Sequence, residues 1–247
     1  MYQAIQVDTA EKVRTIALNR PAALNAITPT MLGELEGALQ SAATDSDVGV
    51  IVLTGVGRAF SAGVDLKALG ERSLKGGKVG DVLDVPARAV TEAIVQAPQP
   101  VIAKVNGACF TGGLELALSC DLMVTAEEAK LGDTHAKWGL RPTWGMSARL
   151  VAAVGPARAR ELSLTARTFS GREAFEYGMA ASCAPRAELD RVVDELCARI
   201  LGNSPGSLMA YKRLYDTPLL RQGLAREASF EFDIEDTEER LSQFRRG

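Results

Sequence analysis

Two glycine-rich segments, each directly after an apolar stretch, give the first indication of chemistry in the chain. They read GVGRAFSAGVDL over 55–66 and NGACFTGGLELA over 106–117. In the second, Gly112 and Gly113 stand where a helix is expected to begin. The first N–H groups of a helix lack internal partners and lie at the positive end of its dipole, so an anionic ligand group is favoured there. In the first, Gly63 permits a ligand to approach exposed main-chain N–H groups.

Neither segment matches the common nucleotide-binding loops. A GxGxxG fingerprint would need glycine at Phe60, and the chain has no GxxxxGK[ST] phosphate loop. Glu115 falls within the first turn of the helix that follows the second segment. From this feature alone two interpretations remain open: the carboxylate complements the helix dipole, or it acts as an acid–base group.

The hydrophobic pattern predicts the elements that position these segments. Strands are predicted at 5–7, 13–18, 48–54, 101–105 and 122–125. A helix is predicted from Pro29 to just before 45, with Thr28 as its N-cap. Further helices are predicted at 82–96, 113–120, 144–154, 156–165, 172–177 and 188–201, followed by a charged helical segment over about 204–244. Strands that alternate with helices over the first 140 residues indicate an α/β protein.

Length and composition are those of an ordinary globular protein. The chain has 247 residues, 47% of them hydrophobic and 24% charged, and a net charge of −3. This length suits one large domain, or one domain with a small appendage. Because there is no basic stripe, nucleic acid is not an expected partner.

Location and metal content can also be predicted. The N-terminus shows no secretory signal, and the apolar runs are too short to cross a bilayer, so no membrane association is expected. Four cysteines without CxxC spacing, together with a single histidine, make a zinc site unexpected. We therefore predict a cytoplasmic protein with reduced thiols and no metal. Cys109 lies near the glycine-rich segments, and packing is favoured over catalysis because no base accompanies it.

Several motifs together resemble the enoyl-CoA hydratase/isomerase (crotonase) family. They are LNRPAALNAI at 18–27, VIVLTGVGRAFSAGVDL at 50–66, NGACFTGGLELALSCDL at 106–122 and GMSARL at 145–150. The resemblance implies an α/β fold, a crotonase-like spiral of ββα units with a helical C-terminal region. We place the core with the active site at 1–190 and a helical region for packing or oligomerisation at 191–247. The resemblance also implies a homotrimer or a dimer of trimers.

The same resemblance implies where an acyl-CoA substrate would bind. The thioester carbonyl would lie between the N–H groups of Ala62 and Gly112, which would stabilise an enolate oxyanion. No separate cofactor is implied, since coenzyme A is part of the substrate. The implied CoA contacts are Ala22, Ala23, Leu24, Ser61, Ala62, Gly63, Val64, Asp65, Leu66 and Gly112.

One position departs from the family pattern. Family hydratases use two glutamates; Glu115 aligns with the first, whereas His135 stands in place of the second. A lone histidine is commonly structural, but an imidazole can also hold a water or return a proton. Asp133 could orient His135 or replace it, although alternate residues of an extended segment point in different directions. The two tryptophans, Trp138 and Trp144, either pack or line an acyl pocket.

These residues leave several functions open. The leading prediction is a 2-enoyl-CoA hydratase with Glu115 as acid–base group and His135 as its partner. The alternative is a double-bond isomerase that uses Glu115 alone; decarboxylation, dehalogenation and retro-Claisen reactions are further variants of the fold. From another class, a non-catalytic acyl-CoA-binding protein would not require Glu115. A serine hydrolase built on Ser61 and His135 is disfavoured because the chain has no GxSxG elbow.

Overall fold

The computed structural model describes residues 2–66, 75–232 and 234–246, without the side chains of 75 and 244–246. Within these residues the strands are β1 Ile5–Ala10, β2 Val13–Leu18, β3 Val50–Gly55, β4 Ala59–Ser61, β5 Val101–Val105, β6 Ala108–Phe110, β7 Leu122–Ala126, β8 Lys130–Gly132, β9 Phe169–Ser170 and β10 Ser182–Ala184. The α-helices are α1 Pro29–Thr44, α2 Asp81–Gln96, α3 Gly112–Ser119, α4 Met146–Thr165, α5 Gly171–Glu176, α6 Leu189–Leu201, α7 Pro205–Tyr215, α8 Pro218–Ser229 and α9 Thr237–Arg246.

The strands form two sheets that the chain visits alternately. The larger has the order β1-β2-β3-β5-β7-β10, and the smaller has the order β4-β6-β8-β9. The chain passes from the large sheet to the small sheet and then into a helix, as β3-β4-α2, β5-β6-α3 and β7-β8-α4. This arrangement confirms the predicted spiral of ββα units. The strands of the small sheet have only two or three residues each, too short for a periodic pattern to reveal them.

The parallel strands of the large sheet account for the apolar runs in the sequence. Strand β3 is buried at every residue and pairs in parallel with β2 on one side and β5 on the other. A strand covered on both faces must be apolar throughout, which is why 50–55 shows no alternation. At its carboxyl end the chain turns directly into the first glycine-rich segment.

Helix α1 has the predicted start and end. The Thr28 hydroxyl accepts a hydrogen bond from the N–H of Met31 at 3.2 Å, Pro29 occupies the first turn and the helix ends at Thr44. Its apolar face is fully buried through Met31, Leu32, Leu35, Ala38, Leu39 and Ala42. This face holds the helix against the hairpin formed by β1 and β2 and against α2.

The C-terminal half is helical, as predicted. The two helices predicted at 144–154 and 156–165 are both present, because the range of α4 contains a break at Gly155, whose φ of 74° and ψ of 163° are non-helical, directly before Pro156. Helix α8 packs along α4, whereas α6 packs on the large sheet. The division of the chain at residue 190 falls within α6 and stays a prediction. In the described residues, no helix combines the length and apolar character needed to cross a membrane.

The Thr28→Ala variant tests this account of α1. Loss of the side-chain acceptor leaves an N–H of the first turn unsatisfied, so the free energy of unfolding should fall by about 1 kcal/mol. Denaturant unfolding measures it. Thr44→Ala, at the exposed end of the same helix, is the control and should change stability by less than about 0.5 kcal/mol. Equal effects of the two substitutions would contradict the capping role.

Candidate active site

Gly112 begins α3 where the main chain passes beneath the ring of Trp144. Thr111, the residue before it, has φ 43° and ψ −116°, a conformation that residues with a side chain rarely adopt. A Cβ at Gly112 would overlap the Trp144 ring, so this close approach requires glycine. As the first residue of α3, Gly112 has an N–H without an acceptor inside the helix. Its predicted role as an oxyanion donor stays a prediction.

The N–H of Ala62 was predicted to bind the oxyanion, and the structure contradicts this prediction. It donates to the carbonyl of Leu24 at 2.9 Å and is therefore not available to a ligand. The N–H of Asp65 is likewise bonded, to the carbonyl of Ile27 at 2.9 Å. Between them, the N–H of Val64 donates to no acceptor in the described residues. In the parallel bridge between Ile27 and Val64, Ile27 bonds to the carbonyl of Gly63 and the N–H of Asp65, so the N–H of Val64 itself faces away from Ile27.

The loop that contains Val64 lies directly against the start of α3. Gly63 has φ 94°, and a Cβ there would overlap the side chain of Thr111 and the carbonyl of Phe110. Only glycine allows the two glycine-rich segments to approach this closely. The N–H of Val64, for which the described part of the chain offers no acceptor, and the first N–H of α3 consequently belong to adjacent segments.

Asn25, which sequence reasoning missed, ties the predicted CoA-contacting segments together. Its side chain is fully buried; it accepts the N–H of Arg20 at 2.8 Å and donates to the carbonyls of Val56 and Ala59 at 3.0 and 2.8 Å. Its own carbonyl accepts the Ser61 hydroxyl at 2.8 Å. The segments 22–24 and 61–66 are therefore neighbours. An asparagine among apolar residues in LNRPAALNAI was the only sequence signal.

Glu115 is buried in the site, with its side chain 1% exposed. One carboxylate oxygen, Oε1, accepts the N–H of Trp144 at 3.0 Å and that of Met146 at 3.1 Å. The other, Oε2, lies 3.7 Å from Nε2 of His135. Burial, the largest effect, raises the pKa of Glu115 above its usual range, while the neighbouring imidazole and the two amides act in the opposite direction.

His135 is held by Asp133, which corrects the expectation that alternate residues would point apart. Nδ1 of His135 lies 2.6 Å from the Asp133 carboxylate, whose other oxygen accepts the Ser163 hydroxyl at 2.7 Å. The segment is not extended here, because His135 has φ −54° and ψ −50° and begins a 3-10 turn. Burial opposes the imidazolium, but the hydrogen bond to Asp133 and the nearby carboxylates outweigh it and raise the pKa of His135.

The two tryptophans occupy different surroundings. Trp144 is buried, and its indole N–H donates to the Asp84 carboxylate at 2.8 Å, which also accepts the Thr143 hydroxyl at 2.7 Å. Trp138 is partly buried, with the Lys137 ammonium 5.0 Å from its ring centre. Trp144 thus forms a fixed wall over Gly112. Sequence reasoning missed the partner of Trp144. The signal for it was Asp84, an acid that lies on the otherwise apolar face of α2.

Two further candidate nucleophiles, Ser61 and Cys109, are either hydrogen-bonded or buried. The Ser61 hydroxyl is fully buried and, besides donating to Asn25, accepts the N–H of Gly63 at 3.2 Å. Cys109 is buried too, and desolvation raises the pKa of its thiol. Because a reactive thiol needs a lowered pKa, Cys109 suits packing. Among the described residues the side-chain partners of His135 are Asp133 and Glu115, and neither Ser61 nor Cys109 forms a hydrogen bond with it, so this geometry does not support a hydrolase.

Comparison with known proteins identifies the family. The family model for enoyl-CoA hydratase/isomerase matches residues 8–245. A probable peroxisomal enoyl-CoA hydratase of Arabidopsis thaliana is 34% identical over 207 residues, covering 84% of this chain and 76% of the relative. The chain belongs to the enoyl-CoA hydratase/isomerase family, which confirms the predicted enzyme class.

Solved structures support the fold. An enoyl-CoA hydratase from Mycobacterium avium subsp. paratuberculosis superimposes with a TM-score of 0.87 at 28% identity, covering 100% of this chain and 97% of that one. A monofunctional enoyl-CoA isomerase from M. smegmatis superimposes with a TM-score of 0.75 at 31% identity, covering 92% and 99%. The crotonase-like fold is therefore shared with structures named for each of two reactions.

Because the chain has one histidine, NMR can follow the titration of His135 without ambiguity. The negative charge of Asp133 stabilises the imidazolium, so the Asp133→Asn variant should have a lower His135 pKa and a smaller protonated fraction near neutral pH. Asp190→Asn, which removes an exposed carboxylate beside Lys104, is the control and should leave the titration unchanged. An unchanged titration in Asp133→Asn would contradict this account of the pair.

Proposed function

We propose that the chain is an enoyl-CoA hydratase that adds water across the double bond of a 2-enoyl-CoA thioester. The observation that carries this proposal is the facing pair of His135 and Glu115, with Nε2 and Oε2 3.7 Å apart. This separation is too long for a direct hydrogen bond, yet one water oxygen can lie within hydrogen-bonding reach of both groups. Hydration needs two such groups, one for the water and one for the carbon chain.

The reaction balances with one proton removed and one returned. Glu115 takes a proton from water while the water oxygen bonds to C3 of the substrate. The electron pair of the C2–C3 double bond moves towards the thioester, whose carbonyl becomes an enolate oxyanion. His135 then gives a proton to C2, and the carbonyl reforms. Proton transfer from Glu115 to His135, direct or through water, restores the resting state.

The surroundings of each group support this assignment. Burial raises the pKa of Glu115, which makes its carboxylate a stronger base than an exposed one. The Asp133 carboxylate on Nδ1 favours the imidazolium form of His135, which leaves Nε2 with a proton to deliver. Activity requires Glu115 ionised and His135 protonated, so its pH dependence should be bell-shaped. Because Glu115 and His135 interact, the two apparent pKa values of the profile describe the pair and are not assigned to one residue each.

The oxyanion requires donors that are not used elsewhere. We infer that the N–H groups of Val64 and Gly112 bind it, with Val64 replacing Ala62, since the latter is bonded to Leu24. Such preorganised donors typically contribute about 3–4 kcal/mol each to the transition state. The segments 22–24 and 61–66 would contact the CoA part of the thioester. The reaction needs no separate cofactor.

Double-bond isomerisation is the second candidate. Moving a double bond from C3 to C2 needs a single base that carries a proton along one face, and Glu115 alone could serve. The similarity to the M. smegmatis isomerase keeps this reaction open. The Asp133–His135 contact favours hydration. Isomerisation by Glu115 alone would leave His135 without a role in proton transfer, and an imidazole without such a role would not need a buried carboxylate to orient it.

Turnover of crotonyl-CoA and of a 3-enoyl-CoA by the wild type, Glu115→Gln and His135→Ala separates these functions. Glu115→Gln should lose at least about a hundredfold in kcat on either substrate, the usual scale for an acid–base group. His135→Ala should lose hydration by a similar factor. Glu195→Gln, on the exposed surface of α6, is the matched control and should keep full activity.

The other outcomes of this assay are equally specific. Full activity in Glu115→Gln would overturn the mechanism. Loss of hydration with isomerisation intact in His135→Ala would make His135 the group specific to hydration. Tight binding of acyl-CoA without turnover of either substrate by the wild type would indicate a binding protein.

We also propose that the chain assembles as a homotrimer or a dimer of trimers in the cytoplasm. Support for assembly comes from large apolar side chains on α7 and α8 that are mostly exposed in the single chain, namely Tyr211, Leu214, Tyr215 and Leu219. The ring centres of Tyr211 and Tyr215 are 5.8 Å apart. Exposed apolar side chains that lie close together are typical of a protein interface. Support for the cytoplasm comes from the four cysteines, all of which are free thiols.

Sedimentation of the Leu219→Glu variant tests the assembly. This side chain is 79% exposed in the single chain, so a charge there should be tolerated by the fold but should disrupt a subunit interface. We expect a shift towards smaller species. Leu164→Glu, equally exposed but on α4, controls for the added charge. A wild type that sediments as a monomer would contradict the proposal.

A further inference from the structure

Glu227 is a buried carboxylate on a helix that is otherwise largely exposed. It lies near the end of α8, with 7% of its surface exposed, and it is the only buried residue of that helix. Its Oε1 accepts the N–H of Gly145 at 2.5 Å, and its Oε2 accepts the N–H of Ser147 at 2.7 Å and the Ser147 hydroxyl. All these donors belong to the first turn of α4 or the residue before it.

Glu115 binds the alternate amides of the same turn. Its Oε1 accepts the N–H groups of Trp144 and Met146, which alternate along the chain with those held by Glu227. Four successive N–H groups, from 144 to 147, are thus divided between two buried carboxylates. A helix N-terminus has unpaired N–H groups and a partial positive charge, which explains why both acids can be buried there.

We propose that Glu227 is a positioning residue for Glu115: by holding the N–H groups of Gly145 and Ser147, it fixes the segment whose other two N–H groups orient the Glu115 carboxylate. The inference rests on the proposed acid–base role of Glu115. It assigns α8 a part in the active site, in addition to the packing role expected for the C-terminal region.

Two arginines lie near Glu227. Arg149 from α4 is buried beside the turn and donates to the carbonyl of Trp144 at 2.9 Å. Burial lowers the pKa of its guanidinium, and the negative charges of Glu115, Glu227 and Glu92 oppose that shift. Arg141 donates to the main-chain carbonyl of Glu227 at 3.3 Å. After the larger effect of burial, the negative charge of Glu227 contributes to raising the pKa of Glu115.

The same charge acts on the other member of the pair. It is among the effects that raise the pKa of His135, after its hydrogen bond to Asp133 and the nearer carboxylates. Glu227 therefore influences both the geometry and the protonation of the acid–base pair without contacting the substrate. A purely structural residue of α8 would affect the amount of folded protein but not the pH dependence of its activity.

The pH profile of kcat for the wild type and Glu227→Gln tests the proposal. Glutamine keeps an oxygen acceptor but loses the charge and presents an NH₂ to one of the amides. We expect kcat to fall by about tenfold or more, as for a misplaced catalytic group, with KM within about twofold. Removing a negative charge lowers the pKa of both Glu115 and His135, so both limbs of the bell should move to lower pH.

Matched variants separate positioning from folding. Glu231→Gln removes the same charge from an exposed side chain beyond the end of α8, paired with Lys78, and should leave kcat and the profile unchanged. Glu227→Ala, which removes both acceptor oxygens, should lose more kcat than Glu227→Gln. Thermal unfolding of each variant establishes the folded fraction to which kcat is referred.

Two results would overturn the inference. One is a wild-type kcat and profile in folded Glu227→Gln. The other is a loss of activity in proportion to unfolded protein alone. Either result, obtained while Glu115→Gln remains inactive, would reject the role of Glu227 and leave the proposed function intact. An active Glu115→Gln would instead reject the proposed function itself.

Discussion

Burial of the Glu115 carboxylate is the constraint to which the surrounding structure responds. An ionised carboxylate without partners is costly in a protein interior, so it must be compensated or protonated. Here compensation comes from two main-chain amides before and within α4 and from the imidazole of His135. The effect of burial exceeds that of the imidazole and the two amides, so the pKa of Glu115 stays above its usual range. Because the raised pKa brings the titration of this buried acid close to neutral pH, the group can both accept and return a proton there.

The fold supplies these partners from separate parts of the chain. Glu115 comes from the start of α3, His135 from the turn after β8, and the amides from the start of α4. The ββα spiral brings such segments together because successive units add the neighbouring strands β4, β6 and β8 to the small sheet before the chain enters a helix. Asn25 then joins the first loop to the second through buried hydrogen bonds. The site is consequently assembled from main-chain geometry as much as from reactive side chains.

Sequence reasoning found the residues with distinctive chemistry and missed those defined by geometry. The single histidine and the acid after two glycines were visible in the pattern, as were the long parallel strands and the cap of α1. Which N–H of the 61–66 segment faces the ligand was not visible, because glycine spacing does not define the edge to which an amide points; Ala62 was chosen, and it is bonded to Leu24. Glu227 was hidden for another reason, since its partners lie about eighty positions earlier in the sequence.

In the proposed mechanism, His135 transfers the proton at C2 and Glu115 takes the proton from the water. Proton exchange at C2 of a saturated acyl-CoA in D₂O isolates the first role, because no water is added. Followed by NMR, exchange should occur with the wild type, persist in Glu115→Gln and be lost in His135→Ala. Exchange at the wild-type rate in His135→Ala, together with its loss in Glu115→Gln, would assign the C2 proton to Glu115 and contradict the account.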